Sequence, residues 1–347
     1  MKVAVVGYGH IGKQHCANVL SSDNMSLTHI CDPYITQNDI PDGVVWVADY
    51  DSWIESLEAH DIDLLIIATP NHLHHPMLVK AMTTYPFAGT PILAEKPIVL
   101  HEEEIQEIEY LQDQRLDEGK SEIPIFVNYP LRFLPSVMKL KEEWSSIGEI
   151  KLVNTGVFWN RNEGYYEASE WRGKLVEEGG PLFNEFIHHL DLITYLCGDI
   201  SSVGGAIRDF AHDYTEVEDT GIINLTFNTG GVGTMSYSVA SPKKSFDVNF
   251  HFMGDEGCAK LTGLYNNQLF INEDGFIFEI NRNHYGAVLD AIYENLFNNV
   301  SDERLASWED GIKSVRTINQ YYHRVRKHNL DKGDWNTTIL TEENRSR

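Results

Sequence analysis

Short apolar runs and amphipathic stretches alternate along the first third of the chain. Short runs rich in Val, Ile and Leu are typical of strands that are buried on both faces of a sheet. They predict strands at residues 2–6, 27–31, 63–68, 91–94 and 123–127. Apolar residues at helical spacing predict intervening helices after residue 9 and at residues 51–59, 75–83 and 101–114. This alternation favours an α/β fold with a doubly wound parallel sheet, the Rossmann arrangement.

The pattern changes after about residue 127, where strand-like segments follow one another with turn signals between them. Strands are predicted at residues 150–158, 221–227, 231–239, 248–253, 258–262 and 268–271. Helices are predicted at residues 135–144, 186–197, 285–297 and 308–327. Consecutive strands with hairpin turns favour an open, mostly antiparallel sheet. We therefore predict a Rossmann domain at 1–127, an α+β domain at 128–330 and a polar tail at 331–347.

Three glycines follow the first predicted strand in the spacing G-x-G-x-x-G, within the segment GYGHIG. Gly7 permits a tight turn, Gly9 lets the backbone approach a pyrophosphate, and Gly12 lets the next helix pack on the sheet. That helix begins around His10 and Ile11, so its N–H groups and its positive dipole end face the phosphates. The segment therefore predicts a dinucleotide site.

The second predicted strand ends at Asp32, twenty residues after Gly12. An acid at this distance is expected to accept hydrogen bonds from a ribose 2′-OH. It would also repel a 2′-phosphate, so NAD is favoured over NADP. A glycine triplet alone is often only a structural turn, but here strand, triplet, helix, strand and acid occur in order.

Polar residues also follow two further predicted strands, and the ligands of open parallel sheets bind beyond such carboxyl ends. We expect the cofactor to contact Thr69, Pro70, Asn71, His74, Glu95 and Lys96. Lys96 lies between a buried strand and a proline, which directs it towards the cleft expected to hold nicotinamide. A lysine there is suited to proton transfer. The alternative is an ordinary solvated lysine.

A second set of candidate residues lies at positions 179–191, in the sequence GGPLFNEFIHHLD. Asn184 and His188 are four residues apart and would share one face of a helix, with Asp191 at its border. A histidine that titrates near neutral pH can take a proton from a hydroxyl as hydride leaves its carbon. Asp191 could orient the imidazole. The alternative is that His188 is a satisfied structural residue.

Two other groups of polar residues give weaker evidence of a functional site. Three histidines fall close together in the segment NHLHHP, but no Cys or carboxylate lies at a convincing ligand distance, so a metal site is not indicated. A loop that contains Arg161, Trp171 and Arg172 could line a sugar or phosphate pocket, or only cap the edge of the domain.

Composition limits the classes of function. The net charge of −25 argues against nucleic acid or another polyanion as a partner. No apolar run approaches the ~18–20 residues that span a bilayer, and the N-terminus lacks the layout of a signal peptide. We therefore expect a cytoplasmic protein without a membrane partner. Its four cysteines show no C-x-x-C spacing, which favours reduced structural thiols over a disulfide or metal role.

Taken in order, GYGHIG, Asp32, TPNHLH, AEKP, WRG and GGPLFNEFIHHLD resemble the Gfo/Idh/MocA oxidoreductases. This family includes glucose–fructose oxidoreductase and inositol dehydrogenase, and the resemblance runs to about residue 330. It implies that Lys96 and His188 act at the substrate. The acid that is common four residues before this histidine is Asn184 here, and Phe186 stands where many members have glycine. The resemblance also implies a homodimer or homotetramer formed through the open sheets.

These features predict NAD-dependent oxidation of a secondary hydroxyl on a sugar, a cyclitol or a related small molecule. Lys96 would hold the hydroxyl, His188 would take its proton and Asn184 would position the substrate, without a metal ion. Further substrate contacts are expected from Arg132, Trp171 and Arg172.

Two alternatives stay open. A nucleotide-sugar dehydrogenase of surface polysaccharide biosynthesis is slightly favoured by Asn184 and by the aromatic and basic residues at 159–172. A non-catalytic NAD-binding sensor or regulator is disfavoured, because such a protein would need neither Lys96 nor His188.

Overall fold

A computed structural model describes residues 1–57, 61–84, 88–242, 247–263, 266–279 and 284–332. The chain forms two compact units. The first combines Met1–Phe133 with Asn281–Val315, and the second combines Leu134–Ile280 with the residues from Arg316 onwards. The chain therefore leaves the first unit and returns to it, whereas the predicted domains follow one another along the sequence, with limits at residues 127 and 330. The predicted tail lies, from residue 333, outside the described residues.

The described residues contain fifteen strands and ten α-helices, numbered in chain order. The strands are β1 (Lys2–Val6), β2 (Ser26–Cys31), β3 (Val45–Val47), β4 (Leu64–Ile67), β5 (Ile92–Ala94), β6 (Ile125–Val127), β7 (Ile150–Phe158), β8 (Ile200–Arg208), β9 (Thr220–Phe227), β10 (Val232–Ser238), β11 (Asp247–Gly254), β12 (Cys258–Thr262), β13 (Gln268–Ile271), β14 (Asp274–Ile277) and β15 (Ala306–Ser307). The helices are α1 (His10–Leu20), α2 (Tyr50–Ser56), α3 (His74–Thr83), α4 (Glu102–Asp117), α5 (Pro135–Glu142), α6 (Glu163–Glu167), α7 (Leu175–Glu178), α8 (Ile187–Cys197), α9 (His284–Asn298) and α10 (Trp308–Lys332).

The sheet of the first unit has the strand order β15-β6-β5-β4-β1-β2-β3. Strands β1 to β6 pair in parallel, and β15 joins β6 in the antiparallel sense at the edge. The order reverses between β1 and β4, which is where a doubly wound sheet leaves a crevice beyond its strand ends. The predicted Rossmann fold is confirmed.

The core of the first unit lies between this sheet and its helices. Val5 and Ile66 on the central strands are fully buried, as expected when helices cover both faces of a parallel sheet. Val288 and Ile292 of α9 pack into the same cluster as Cys16 of α1. The predicted domain limits assign α9 to the second domain, but its apolar stripe completes the core of the first unit.

The sheet of the second unit has the order β14-β13-β12-β11-β7-β10-β9-β8. Strands β7 and β10 pair in parallel, and the other neighbouring pairs are antiparallel. Helices α8 and α10 pack on this sheet: His189 of α8 stacks on Phe250, and the hydroxyl of Tyr321 on α10 donates to carbonyls of β8 and β9. The predicted open, mostly antiparallel sheet is confirmed.

The opposite face of this sheet has a partly exposed apolar row. Met253, Leu152 and Val232 are neighbours across β11, β7 and β10, and they are 53%, 40% and 48% exposed. The apolar row therefore crosses three central strands instead of consisting of scattered single residues.

Four strands of the structure are absent from the sequence prediction. The edge strand β8 has the sequence ISSVGGAIR, in which small residues and a glycine pair hide the apolar alternation. Strands β3, β14 and β15 are two to four residues long, too short for a period to show. None of the helices in the described ranges combines the length and the apolar character of a membrane-spanning segment. Three of the four cysteines are buried, and Cys258 is exposed.

Candidate functional site

The turn after β1 explains the different requirements of its three glycines. Gly7 has a φ of +90°, and a Cβ there would lie 2.5 Å from the carbonyl oxygen of Ala68. A Cβ at Gly12 would lie 1.9 Å from the carbonyl oxygen of Gly7. At Gly9, a Cβ would meet none of the described atoms within 4 Å. Gly9 therefore borders open space at the start of α1, where N-terminal N–H groups can hold a pyrophosphate.

The carboxylate of Asp32 is hydrogen-bonded to the glycine turn. His10 and Ile11 form the first turn of α1, which has no side-chain N-cap among the described residues. One carboxylate oxygen of Asp32 accepts the N–H of Tyr8 at 2.7 Å, and the other accepts the N–H of Tyr34 at 2.8 Å. Each oxygen has a second lone pair with which it can accept a ribose hydroxyl. The residues of this turn thus fit the pyrophosphate and ribose of a dinucleotide.

The side chain of His74 joins two strand ends. It is buried, and its ring nitrogens lie 2.9 Å from the carbonyl oxygen of Thr69 and 2.6 Å from that of Pro97. Burial lowers the pKa of His74, although both carbonyls oppose the shift. The structure gives His74 a supporting position, and its contact with a cofactor stays a prediction. Of its neighbours, Pro70 is half-buried and Asn71 is buried.

A buried carboxylate supports the turn that contains Lys96. Glu95 is 5% exposed and accepts hydrogen bonds from His15 Nε2 at 2.8 Å and Asn128 Nδ2 at 2.6 Å. Burial by itself would raise the pKa of Glu95, but His15, Lys96 and Asn128 together lower it, so the carboxylate is ionised. His15 belongs to α1, the helix that follows the glycine turn. This helix is therefore hydrogen-bonded to Glu95, the residue directly before Lys96.

Arg132 occupies a different environment from the other candidates of the first unit. It lies in a short 3₁₀ helix, Pro130–Phe133, and is buried. Its Nη1 donates to Asp310 Oδ2 at 3.0 Å, and its guanidinium lies 5.8 Å from the ring centre of Tyr129. These contacts hold it among protein groups, and its contact with a substrate stays a prediction.

The candidates of the second unit follow a glycine pair. Gly180 has a φ of +112°, and a Cβ there would lie 2.6 Å from the hydroxyl oxygen of Tyr322. Leu182–Phe186 then forms a π-helical turn before α8 begins. Asn184 lies in that turn and His188 lies in α8, so the α-helical spacing assumed from the sequence does not describe this stretch. Turns of this kind occur frequently at functional sites.

Asn184 belongs to a hydrogen-bonded group that we call the Asn184 network: Arg161, Tyr165, Glu178, Asn184 and Glu185. Asn184 Nδ2 donates to Glu178 Oε1 at 2.6 Å and lies 3.4 Å from Tyr165 Oη. The Tyr165 hydroxyl donates to Glu185, and the Arg161 guanidinium forms a bidentate pair with Glu185 at 2.9 and 2.7 Å. The network therefore links Asn184 to two buried carboxylates.

The carboxyl group of Glu178 titrates near neutral pH. It is 2% exposed, and its Oε2 accepts the N–H of Gly173 at 2.8 Å. Burial, with a contribution from the nearby charge of Glu185, raises the pKa of Glu178 to about 7. The bonds from Gly173 and Asn184 and the charge of Arg172 oppose this shift but do not cancel it.

Trp171 and Arg172 lie beside the Asn184 network, and both are half-buried. The Arg172 guanidinium lies 4.3 Å from the ring centre of Tyr165 and 5.6 Å from that of Trp171. Its Nη1 donates to the carbonyl oxygen of Tyr165 at 3.3 Å. A guanidinium stacked on aromatic rings provides a planar cation that suits a carboxylate or a phosphate.

His188 and His189 are adjacent in α8 but have opposite surroundings. His189 is buried against the rings of Trp159 and Phe250, and burial lowers its pKa to about 4. It is therefore a neutral core residue. His188 is half-buried, and Asp191, which the sequence suggested as its orienting group, is buried on the same helix.

Four residues of these sites were missed from the sequence. Asn128 directly follows β6, and the rule that polar residues at strand ends mark the site would have found it. His15, Glu178 and Glu185 lie in helical segments, where nothing in the sequence shows that a polar side chain turns inward. In the part of the chain that the structure describes, no group of three or more His, Cys, Asp or Glu could hold a metal ion.

The chain matches two family models. Residues 1–115 match the "Oxidoreductase family, NAD-binding Rossmann fold", and residues 143–260 match the "GFO/IDH/MocA C-terminal domain". Among curated proteins, the chain is 27% identical to the scyllo-inositol 2-dehydrogenase (NAD(+)) of Bacillus subtilis, over 74% of this chain and 72% of that protein. It is 24% identical to an uncharacterized oxidoreductase of Streptococcus pneumoniae, over 66% of this chain and 60% of that protein. The matches therefore span 60% and 72% of the length of these two relatives.

The fold is similar to that of the WlbA dehydrogenase from Bordetella pertussis, whose structure is a complex with NADH and UDP-GlcNAcA. The TM-score is 0.80 at 22% identity, and the match covers 94% of this chain and 97% of that one. This likeness shows a shared fold over nearly the whole chain. With two family models matched in the expected order, the chain belongs to the Gfo/Idh/MocA oxidoreductases and begins with their NAD-binding Rossmann domain.

Proposed function

We propose that the protein is a cytoplasmic NAD-dependent dehydrogenase that oxidises a secondary hydroxyl of a sugar, a cyclitol or a sugar derivative. The observation that carries this proposal is the support of the Lys96 turn. Glu95 is buried, ionised and bonded to His15 and Asn128, so the turn is fixed from two other elements. Side chains that act on a reacting group require such fixed support. A protein that only senses NAD would not require this support for Lys96.

Each candidate residue has a separate task in this proposal. Gly9 and Asp32 belong to the turn that would hold the pyrophosphate and ribose. When bound, nicotinamide supplies the hydride chemistry of the reaction. Lys96 donates a hydrogen bond to the substrate hydroxyl, Asn184 positions the substrate, and a ring nitrogen of His188 accepts the hydroxyl proton.

A substrate linked to a nucleotide is the second candidate, and Arg172 favours it. Its guanidinium is half-buried and stacked on Tyr165, next to Trp171. This is a suitable partner for the anionic groups that a nucleotide-linked sugar has and a cyclitol lacks. The nucleotide-sugar UDP-GlcNAcA is bound in the similarly folded WlbA dehydrogenase.

Absorbance at 340 nm tests the proposal, with NAD and a panel of scyllo-inositol, free hexoses, glucosides and UDP-linked sugars that includes UDP-GlcNAcA. We expect turnover with at least one compound. His188→Ala should lower kcat by roughly 10²–10⁴, the usual contribution of a positioned acid–base group, with little change in melting temperature. His189→Ala is the matched control, and it should lower the melting temperature because His189 is a core residue.

The outcomes separate the competing functions. NADH binding without turnover of any compound would overturn the dehydrogenase and favour the sensor. Turnover of UDP-linked sugars alone would select the second candidate. Wild-type turnover by His188→Ala would remove His188 as the base.

We also propose that the open face of the second sheet binds a second copy of the chain. The row of Met253, Leu152 and Val232 is apolar and about half exposed, and monomers rarely leave such a patch uncovered. Light scattering at micromolar concentration should give a multiple of the chain mass. Met253→Glu should reduce it, and a monomeric wild type would refute the proposal.

A further inference from the structure

The Asn184 network contains a carboxylate to which the proposed chemistry gives no task. We propose that Glu178 is a positioning residue that fixes the orientation of the Asn184 side-chain amide and thereby sets the affinity for substrate. This inference rests on the proposed function, in which Asn184 contacts the substrate. Glu178 itself is 2% exposed and acts through Asn184.

The geometry connects Glu178 to two parts of the site. Glu178 is the last residue of α7, and its Oε2 accepts the N–H of Gly173, the glycine that follows Trp171 and Arg172. Its Oε1 accepts Asn184 Nδ2 at 2.6 Å. One carboxylate therefore joins the loop with Arg172 to the π-helical turn with Asn184.

The chemistry of a carboxylate determines which end of the amide faces it. An ionised carboxylate only accepts hydrogen bonds, whereas an amide has a donating and an accepting end. Glu178 therefore selects the NH₂ end of Asn184 and directs the carbonyl oxygen the other way. A substrate hydroxyl would meet an acceptor at Asn184. A neutral side chain at 178 would not enforce this choice.

Charged and titratable groups on several elements surround Glu178. Glu185 from the π-helical turn and Tyr166 from α6 lie near it, and Arg172 approaches from the preceding loop. Burial and Glu185 raise the pKa of Glu178 to about 7. Protonation below that pH gives one oxygen an O–H that can donate to the carbonyl end of the amide, so the carboxyl group no longer selects the NH₂ end alone. The orientation of Asn184 should then relax as the pH falls below about 7.

The coupling can be tested without a substrate. In protein labelled with ¹⁵N-asparagine, the side-chain NH₂ signal of Asn184 is identified by its loss in Asn184→Ala. We expect this signal to shift with a midpoint near pH 7 in the wild type and in the control Glu177→Gln. It should not show this titration in Glu178→Gln. A signal that has the same position in the wild type and in Glu178→Gln at every pH would overturn the proposal.

The consequence for affinity is tested with scyllo-inositol and UDP-GlcNAcA as probe substrates at pH 8. Glu178→Gln should raise KM about tenfold and leave kcat within about twofold, because a hydrogen bond to a charged group is lost. In an Asn184→Ala background, Glu178→Gln should have no further effect on KM. Additive effects would show that Glu178 does not act through Asn184. Melting temperatures identify any variant that fails to fold.

Failure of the proposed function would give a different experimental result from failure of the Glu178 proposal. If neither probe nor any other panel compound is turned over, the dehydrogenase assignment fails. The asparagine signal then decides the coupling of Glu178 and Asn184 by itself.

Discussion

Two buried glutamates, one in each unit, differ in charge although they are buried to a similar degree. Burial by itself would raise the pKa of both side chains. At Glu95, the contributions of His15 and Lys96 outweigh burial and the pKa is lowered. At Glu178, the neighbouring charge of Glu185 adds to burial and the pKa rises to about 7. Neighbouring groups thus decide the sign of the shift.

This difference separates two ways of supporting a site. Glu95 keeps its charge through the neutral range, so the support of the Lys96 turn does not depend on pH. Glu178 gains a proton near pH 7, so its bond to Asn184 does depend on pH. We therefore expect the support of the Lys96 turn in the first unit to be independent of pH, and the support of Asn184 in the second unit to change near pH 7.

The largest effect is expected when the constant carboxylate is removed. Glu95→Gln should lower the free energy of unfolding by about 4 kcal/mol at pH 7.5, because it leaves His15 and Asn128 without a buried ionised acceptor. Urea unfolding measures this loss. Glu178→Gln, at the same pH, should cost much less, since it removes a charge that burial disfavours. Equal losses would remove the distinction between the two sites.

The pH dependence of stability should differ in sign. Between pH 4.5 and 7, folded Glu178 holds a proton that the unfolded chain has released. Its contribution to the free energy of unfolding therefore falls as the pH rises, by about 3 kcal/mol across that range. The contribution of Glu95 is present above its ordinary pKa and is lost as the pH falls through its lowered folded value. Wild type compared with each Gln variant by urea unfolding, from about pH 3 to 8, measures both slopes, and slopes of the same sign would contradict the assignment.

A smaller effect should separate two glycines of the same turn. Gly12→Ala places a methyl group 1.9 Å from a backbone oxygen, so it should cost about 2 kcal/mol of stability or more. Gly9→Ala meets open space and should leave the melting temperature unchanged. It should weaken NADH binding roughly tenfold, about 1.4 kcal/mol, by occupying the space expected for the pyrophosphate. Normal NADH affinity in Gly9→Ala would show that the phosphates lie elsewhere.

The smallest effect concerns cofactor choice. Asp32 should favour NAD over NADP by at least about tenfold, or 1.4 kcal/mol, through its remaining acceptor capacity and its charge. Asp32→Ser should reduce this preference. Fluorescence titration with both reduced cofactors measures it, and equal affinities in the wild type would refute the role of Asp32.

The site features that were predicted from the sequence depend on backbone geometry. Those that were missed depend on how individual side chains are buried and paired. The glycine spacing, Asp32 and the Lys96 turn follow from chain geometry at strand ends, which leaves a local signature. The inward positions of His15 and Glu178 depend on partners 80 and 6 residues away, and no local pattern shows that they are buried. The π-helical turn at Asn184 and the glycine-containing strand β8 were missed because both break the regular periods on which prediction depends.

The return of the chain to the first unit has a consequence for how the protein folds during synthesis. The apolar surface of α1 belongs to the same core cluster as Val288 and Ile292 of α9. These two residues are synthesised more than 260 residues after α1. At about 5–20 residues per second, that interval is roughly 13–50 s on the ribosome. The nascent first unit would expose this surface throughout, while the sheet of the second unit is made in between. We therefore expect chains that stall before α9 to need chaperones more than complete chains do.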